Sequence, residues 1–192
     1  LGRRLHLERN VMSSEPHATN GADERWPRAS MIVHAAGAAL VVGLAGAGFV
    51  MSDAPAGSGA RLLLSRLHTL FGAGLMVLTV VRLALRARGP KPPPLDLAPT
   101  HRMGVGLVHV LLYVVTFAIG ASGVATGLTS AWPAYLRGAL AEAPNLHSLV
   151  PREAHEVLVF ALFGLVFAHV AGVMIHQVRK GGVLARMIPF LT

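Results

Sequence analysis

The 192-residue chain contains no cysteine. Disulfides, iron–sulfur clusters, thiolate zinc sites and covalently attached c-type haem are excluded together. Charge is also scarce, at 14% Asp, Glu, Lys and Arg, against roughly 25% in an ordinary soluble domain. No internal repeat is visible, and no apolar stretch followed by a small-residue cleavage site precedes residue 30, so no signal peptide is expected. There is room for one domain. What the chain has instead is long apolar runs and a mean hydropathy of +0.56, which identify lipid as the solvent.

Four such runs stand out, at about residues 30–51, 62–87, 103–128 and 151–178. Each has about 20 residues or more, enough to cross a hydrocarbon layer of ~30 Å at 1.5 Å per residue. The expected fold is an all-α, integral membrane four-helix bundle over 30–178. A polar, mobile tail is expected at 1–29, with Met12 as a candidate start, and a basic tail at 179–192 that includes a short interfacial helix. Gly89-Pro90-Lys91-Pro92-Pro93-Pro94 stops the second helix. About twenty residues containing Trp132, Pro133, Tyr135 and Pro144 read as a loop, and Pro151 suits a first helical turn.

The net charge of +8 belongs to the membrane surface rather than to nucleic acid. The cations flank apolar segments and form no aromatic-interleaved stripe. Arg25 and Arg28, then Arg86, Arg88, Lys91 and Arg102, then Arg179, Lys180 and Arg186 fall on one side. The other side carries only Arg61, Arg66, Arg137 and Arg152. The positive-inside rule then predicts both termini in the cytoplasm.

Six of ten histidines lie in or beside the apolar segments: His34, His68, His109, His155, His169 and His176. Ionisable groups at membrane depth are costly and usually functional, although any single imidazole also serves as a polar contact between helices. Fourteen residues separate His155 from His169, about 1,400° of rotation and ~21 Å of rise. The two therefore share nearly one face at two depths. Topology sets His68 at the depth of His155 and His34 at that of His169. Facing neutral imidazoles suit an iron porphyrin. Zinc or a proton relay would want carboxylates alongside, and only Glu156, at a helix end, is available. Gly37, Ala38, Gly72, Gly74, Gly164 and Gly172 would leave room for a porphyrin, or simply allow close packing. His6, His17 and His147 are expected in solvent and His101 at the interface.

Met31-Ile32-Val33-His34, Arg66-Leu67-His68-Thr69-Leu70-Phe71-Gly72, His109-Val110-Leu111-Leu112-Tyr113 and Ala154-His155-Glu156-Val157-Leu158 occur in that order. The basic proline-rich middle loop, the step from His169 to His176, and Leu184-Ala185-Arg186-Met187-Ile188-Pro189 complete the pattern. Over residues 25–190 this resembles the bacterial cytochrome b561 family, related to the cytochrome b subunits of membrane hydrogenases. Ala35 departs from it, since many members place Trp after the first histidine. The resemblance implies two haem b groups, with His34/His169 and His68/His155 as axial iron ligands, in a protein of the bacterial inner membrane. It also implies electron transfer to or from a membrane quinone, with superoxide as a periplasmic donor and ubiquinone as acceptor. His109 and His176 then fall near a haem edge, a propionate or a quinone head group, or act as polar packing groups. Arg66, Arg137 and Arg152 would steer superoxide, or pair with propionates or lipid phosphates. Two competing readings are a haem-bearing anchor subunit of a larger dehydrogenase or hydrogenase, and a cofactor-free transporter or structural protein.

Overall fold

A computed structural model describes residues 25–95 and 97–187. The tail through residue 24, with His6, His17 and Met12, lies outside the described residues, as does Pro189. Among the described residues there is no strand. Four long helices are apolar enough to cross a membrane: α1 (Arg28–Asp53), α2 (Gly59–Arg88), α3 (Pro99–Leu128) and α5 (Val150–Lys180). In lipid no water is available to the backbone, and an α-helix satisfies its own peptide groups along its length. Two five-residue helices, α4 (Trp132–Leu136) and α6 (Val183–Met187), fill the second long loop and the C-terminal tail.

The ends of these helices are written in local chemistry. Ser58 accepts from Arg61 N at 3.2 Å, capping α2. Proline occupies the first turn of α3 and of α5, where a missing N–H costs no helical bond. Gly89 and the prolines after it end α2, whose last turn carries Arg86 and Arg88 against the carbonyl end of the dipole. Gly181 and Gly182 adopt φ of 73° and 77°, a turn that favours residues without a Cβ. That turn lets Gln177 Oε1 accept from Val183 N (2.9 Å) and Leu184 N (3.1 Å), capping α6.

The helices associate as two antiparallel hairpins, α1 with α2 and α3 with α5. Contact between the hairpins is sparse and runs mainly through α2 and α3. Few side chains are fully enclosed, while Val42, Leu70, Phe167 and Val178 stand on the outside, as expected where lipid meets the surface. At the end where α1 begins and α5 ends, Arg186 Nη1 donates to Pro93 O (2.8 Å), Trp26 N donates to Arg186 O (3.2 Å), and the Arg86 guanidinium lies over the Trp26 ring. These contacts join the start of α1, the proline-rich loop and the C-terminal helix on one face.

The opposite face is covered by the α3–α5 connection, in which α4 is an element absent from the sequence expectation. Its five residues are too few to carry a periodic signal. Tertiary contacts hold it: Trp132 Nε1 donates to Thr69 Oγ1 (3.3 Å), and Arg66 Nε donates to Leu136 O (2.8 Å). The helix is thus pinned to α2 on either side of His68. Trp132→Phe keeps the ring and deletes one of the two pins. It should lower stability by about 0.5–1 kcal/mol, visible as a small drop in unfolding temperature in detergent. No drop at all would mean that the bond to Thr69 contributes nothing to holding α4.

Candidate haem site

The six intramembrane histidines sort by helix and depth. His34 enters from α1, His68 from α2, His109 from α3, and His155, His169 and His176 from α5. Across the divide between hairpins, the rings of His34 and His169 have centroids 6.4 Å apart, and those of His68 and His155 are 6.2 Å apart. The two pairs lie at opposite depths of the bundle. Neither separation is that of stacked or hydrogen-bonded rings. The rings meet edge to face, at 88° and 61°, and two imidazoles sharing one metal ion, at about 2.0–2.1 Å per bond, would have ring centres about 6.3–6.5 Å apart.

The ring nitrogens on the outer side are accounted for where the helices supply an acceptor. His155 Nδ1 lies 3.1 Å from Ile119 O and 3.1 Å from Ser122 Oγ, and the Ser122 hydroxyl itself donates to Ile119 O at 2.8 Å. Only a protonated Nδ1 suits both acceptors, so Nε2 keeps its lone pair. This is the arrangement that orients a metal-binding imidazole. Nδ1 of His34 is covered and has no partner among the described residues, while the His68 ring has the backbone of Leu44 beside it.

Glycine seats the rings of His68 and His155. A Cβ on Gly48 of α1 would lie 3.5 Å from His68 Cε1, and one on Gly123 of α3 would lie 3.6 Å from His155 Cε1 and Nδ1. Each imidazole therefore rests on the bare backbone of the other helix in its own hairpin. The glycines singled out by sequence behave differently. Gly72, Gly74, Gly164 and Gly172 face open space, and Gly37 packs against Leu78 at 3.8 Å. Gly48 and Gly123 were missed because nothing local distinguishes them from the other small residues of these helices.

His109 stands beside the first pair, with its ring centroid 5.0 Å from that of His169. That distance is too short for an intervening metal of the same geometry, and its Nδ1 donates to Val105 O at 2.7 Å. His176 is half-buried and makes no ring contact among the described residues. His101 and His147 are exposed. Among the described residues no group of three or more His, Cys, Asp or Glu could hold a bare metal ion. Two-imidazole sites need a cofactor that brings the remaining equatorial ligands itself, and a porphyrin does so.

The family profile for prokaryotic cytochrome b561 matches residues 25–190. The chain belongs to this family. It is therefore a haem-binding, electron-transferring cytochrome of a bacterial membrane, crossed several times by its helices. Comparison with curated proteins and with solved structures gives no match. The residues of this cytochrome fit haem b. Imidazole pairs face each other with ring centres 6.4 and 6.2 Å apart in a sparsely packed interior, no cysteine is needed for attachment, and the carboxylate nearest the histidines in sequence, Glu156, is exposed and paired with Arg152 at 2.8 Å.

Proposed function

We propose that this cytochrome holds two haem b groups, one between His34 and His169 and one between His68 and His155, and passes electrons between a donor at one membrane face and a membrane quinone. The observation that carries the reading is the pair of cross-hairpin imidazole separations, 6.4 and 6.2 Å. The two levels on α5 are fourteen residues apart, about 20 Å along the membrane normal. Two sites so placed would span most of the hydrocarbon layer.

When bound, haem supplies one-electron exchange. The chain's own part is to hold, orient and shield. Ile119 and Ser122 fix the ring of His155, and Gly48 and Gly123 let the two outer imidazoles sit close to the helix backbone. Arg82, over the ring of Tyr113 at 5.8 Å, puts a cation at the same depth as His34, His109 and His169. There it would meet a propionate or a quinone carbonyl, with His109 as a further polar contact. No acid–base dyad or nucleophile is required.

Orientation follows from the cation distribution: both termini in the cytoplasm and the His68/His155 level toward the periplasm of the inner membrane. For superoxide as donor the balance is simple. Two superoxide anions each lose one electron and leave as dioxygen, and the two electrons with two protons convert ubiquinone to ubiquinol. The steering cations of this face are partly engaged. Arg152 is paired with Glu156, Arg66 donates to Leu136 O, and Arg137 is exposed.

Purified protein should show a strong Soret band and a reduced alpha band near ~560 nm, with haem at two per chain. It should also reduce ubiquinone when superoxide is supplied. Correctly folded protein that stays colourless in haem-replete cells would end the reading. If the donor is superoxide, neutralising Arg66, Arg137 and Arg152 together should slow its oxidation by up to ~10-fold at low salt and flatten the salt dependence. An unchanged rate and salt profile would dismiss steering by these residues.

A further inference from the structure

The end of the bundle nearest His68 holds two covered hydrogen-bond donors without acceptors. Arg61 Nη1 donates to Ala54 O (2.7 Å) and reaches Ser52 O (3.4 Å), capping the end of α1, but its Nε is covered and bonds to nothing. The Tyr135 side chain is 1% exposed, and its hydroxyl has no partner either. A covered N–H left unpaired loses its hydration without return, and the loss is larger for a charged group. Among the described residues no acceptor meets either group, and each is open to one from a bound molecule. The acids at this end, Asp53, Glu142, Glu153 and Glu156, are all exposed and none accepts from either donor.

The position of Arg61 says which acceptor. It precedes His68 by seven residues on α2, about 700° of rotation and ~10 Å of rise. Its side chain therefore leaves α2 within ~20° of the direction taken by the imidazole of His68, two turns nearer the membrane surface. Ser65, fully buried between them, shows that this face of α2 is turned inward. A cofactor centred at His68 with an anionic edge directed toward the surface would bring that edge to Arg61.

We infer that Arg61 anchors a carboxylate of the porphyrin held between His68 and His155, fixing its in-plane orientation with the acidic edge toward the loops. The inference rests on the two-haem reading above. Arg61 then has two tasks from one guanidinium: Nη1 closes the α1–α2 turn and Nε meets the carboxylate, a charge-assisted bond. Neither task is visible from loop charge alone.

The test compares haem with its dimethyl ester, which keeps the iron and the ring but lacks the negative charges. Full-length protein carrying His34→Ala, so that only the His68/His155 site is filled, is titrated with each porphyrin and read by its Soret band. It should favour the free acid on the order of tenfold. Adding Arg61→Gln should bring that ratio close to one. Loss of the α1–α2 cap weakens both porphyrins alike and leaves the ratio untouched. If the Gln variant does not fold, Arg61→Lys, which keeps a cation for the Ala54 carbonyl, should still reduce the ratio at least threefold. An undiminished ratio in the variant that folds overturns the inference. A His34→Ala parent that folds but takes up no haem would instead overturn the two-haem reading.

Discussion

With one haem in each proposed site, replacing His155 by Ala should halve the haem content of the purified cytochrome, from two per chain to one, with the alpha-band amplitude falling in proportion. The proposed His68/His155 site would keep one imidazole of the two that would hold the group, and should therefore retain it less firmly through purification. The His34/His169 site should survive, because its rings lie about four helical turns away along α5 and touch neither His155 nor the residues that position it. His34→Ala should give the complementary loss. Redox titration would then resolve a single wave in each variant, assigning a midpoint potential to each depth. His109→Ala provides the contrast, since its Nδ1 already bonds to Val105 O and its ring sits 5.0 Å from that of His169. Both haems should remain, with a shifted potential for one. A preparation in which any single ligand variant loses both haems while its helical content and detergent behaviour stay native would contradict two independent sites.

The second large effect is expected from a residue with no chemistry of its own. Gly123→Leu should empty the His155 site as thoroughly as loss of the ligand. A Cβ at this position stands 3.6 Å from the imidazole, ordinary van der Waals contact, so Gly123→Ala should keep its haem with little change. The further carbons of Leu have no room unless the ring turns, and turning it breaks the bonds of Nδ1 to Ile119 O and Ser122 Oγ. Gly48→Leu should act in the same way on His68, whose ring lies 3.5 Å from the corresponding Cβ position. Small residues in membrane helices usually serve helix–helix approach; here they would serve ring placement. Haem occupancy in the Ala and Leu variants decides it. Equal occupancy in both would show that the ring has slack and that these glycines are ordinary packing positions.

Much of the architecture was legible along the chain. The apolar runs near 30–51, 62–87, 103–128 and 151–178 became helices extended by a few residues at most of their ends. Length and hydropathy suffice for that, because lipid leaves the backbone no alternative. The nearness of the His34 and His169 rings, and of those of His68 and His155, was also legible from helical pitch and alternating direction. What the rings rest on was not. Ile119, Ser122 and Gly123 lie more than thirty residues from His155 in sequence, Gly48 lies twenty from His68, and no periodicity marks them. The role of Arg61 was hidden differently: by charge it looked like one more cation beside a membrane segment.

Sequence by itself determined how many times this protein crosses the membrane and at which depths its imidazoles fall, because hydropathy and a 1.5 Å rise act on neighbours along the chain. Only the tertiary structure decided that the helices join as two hairpins with a sparse seam between them, and which glycines and carbonyls hold each ring. It also decided that Arg61 and Tyr135 are left with donors to give. Those outcomes depend on which surfaces of distant segments meet, and such meetings are settled by packing across the whole bundle.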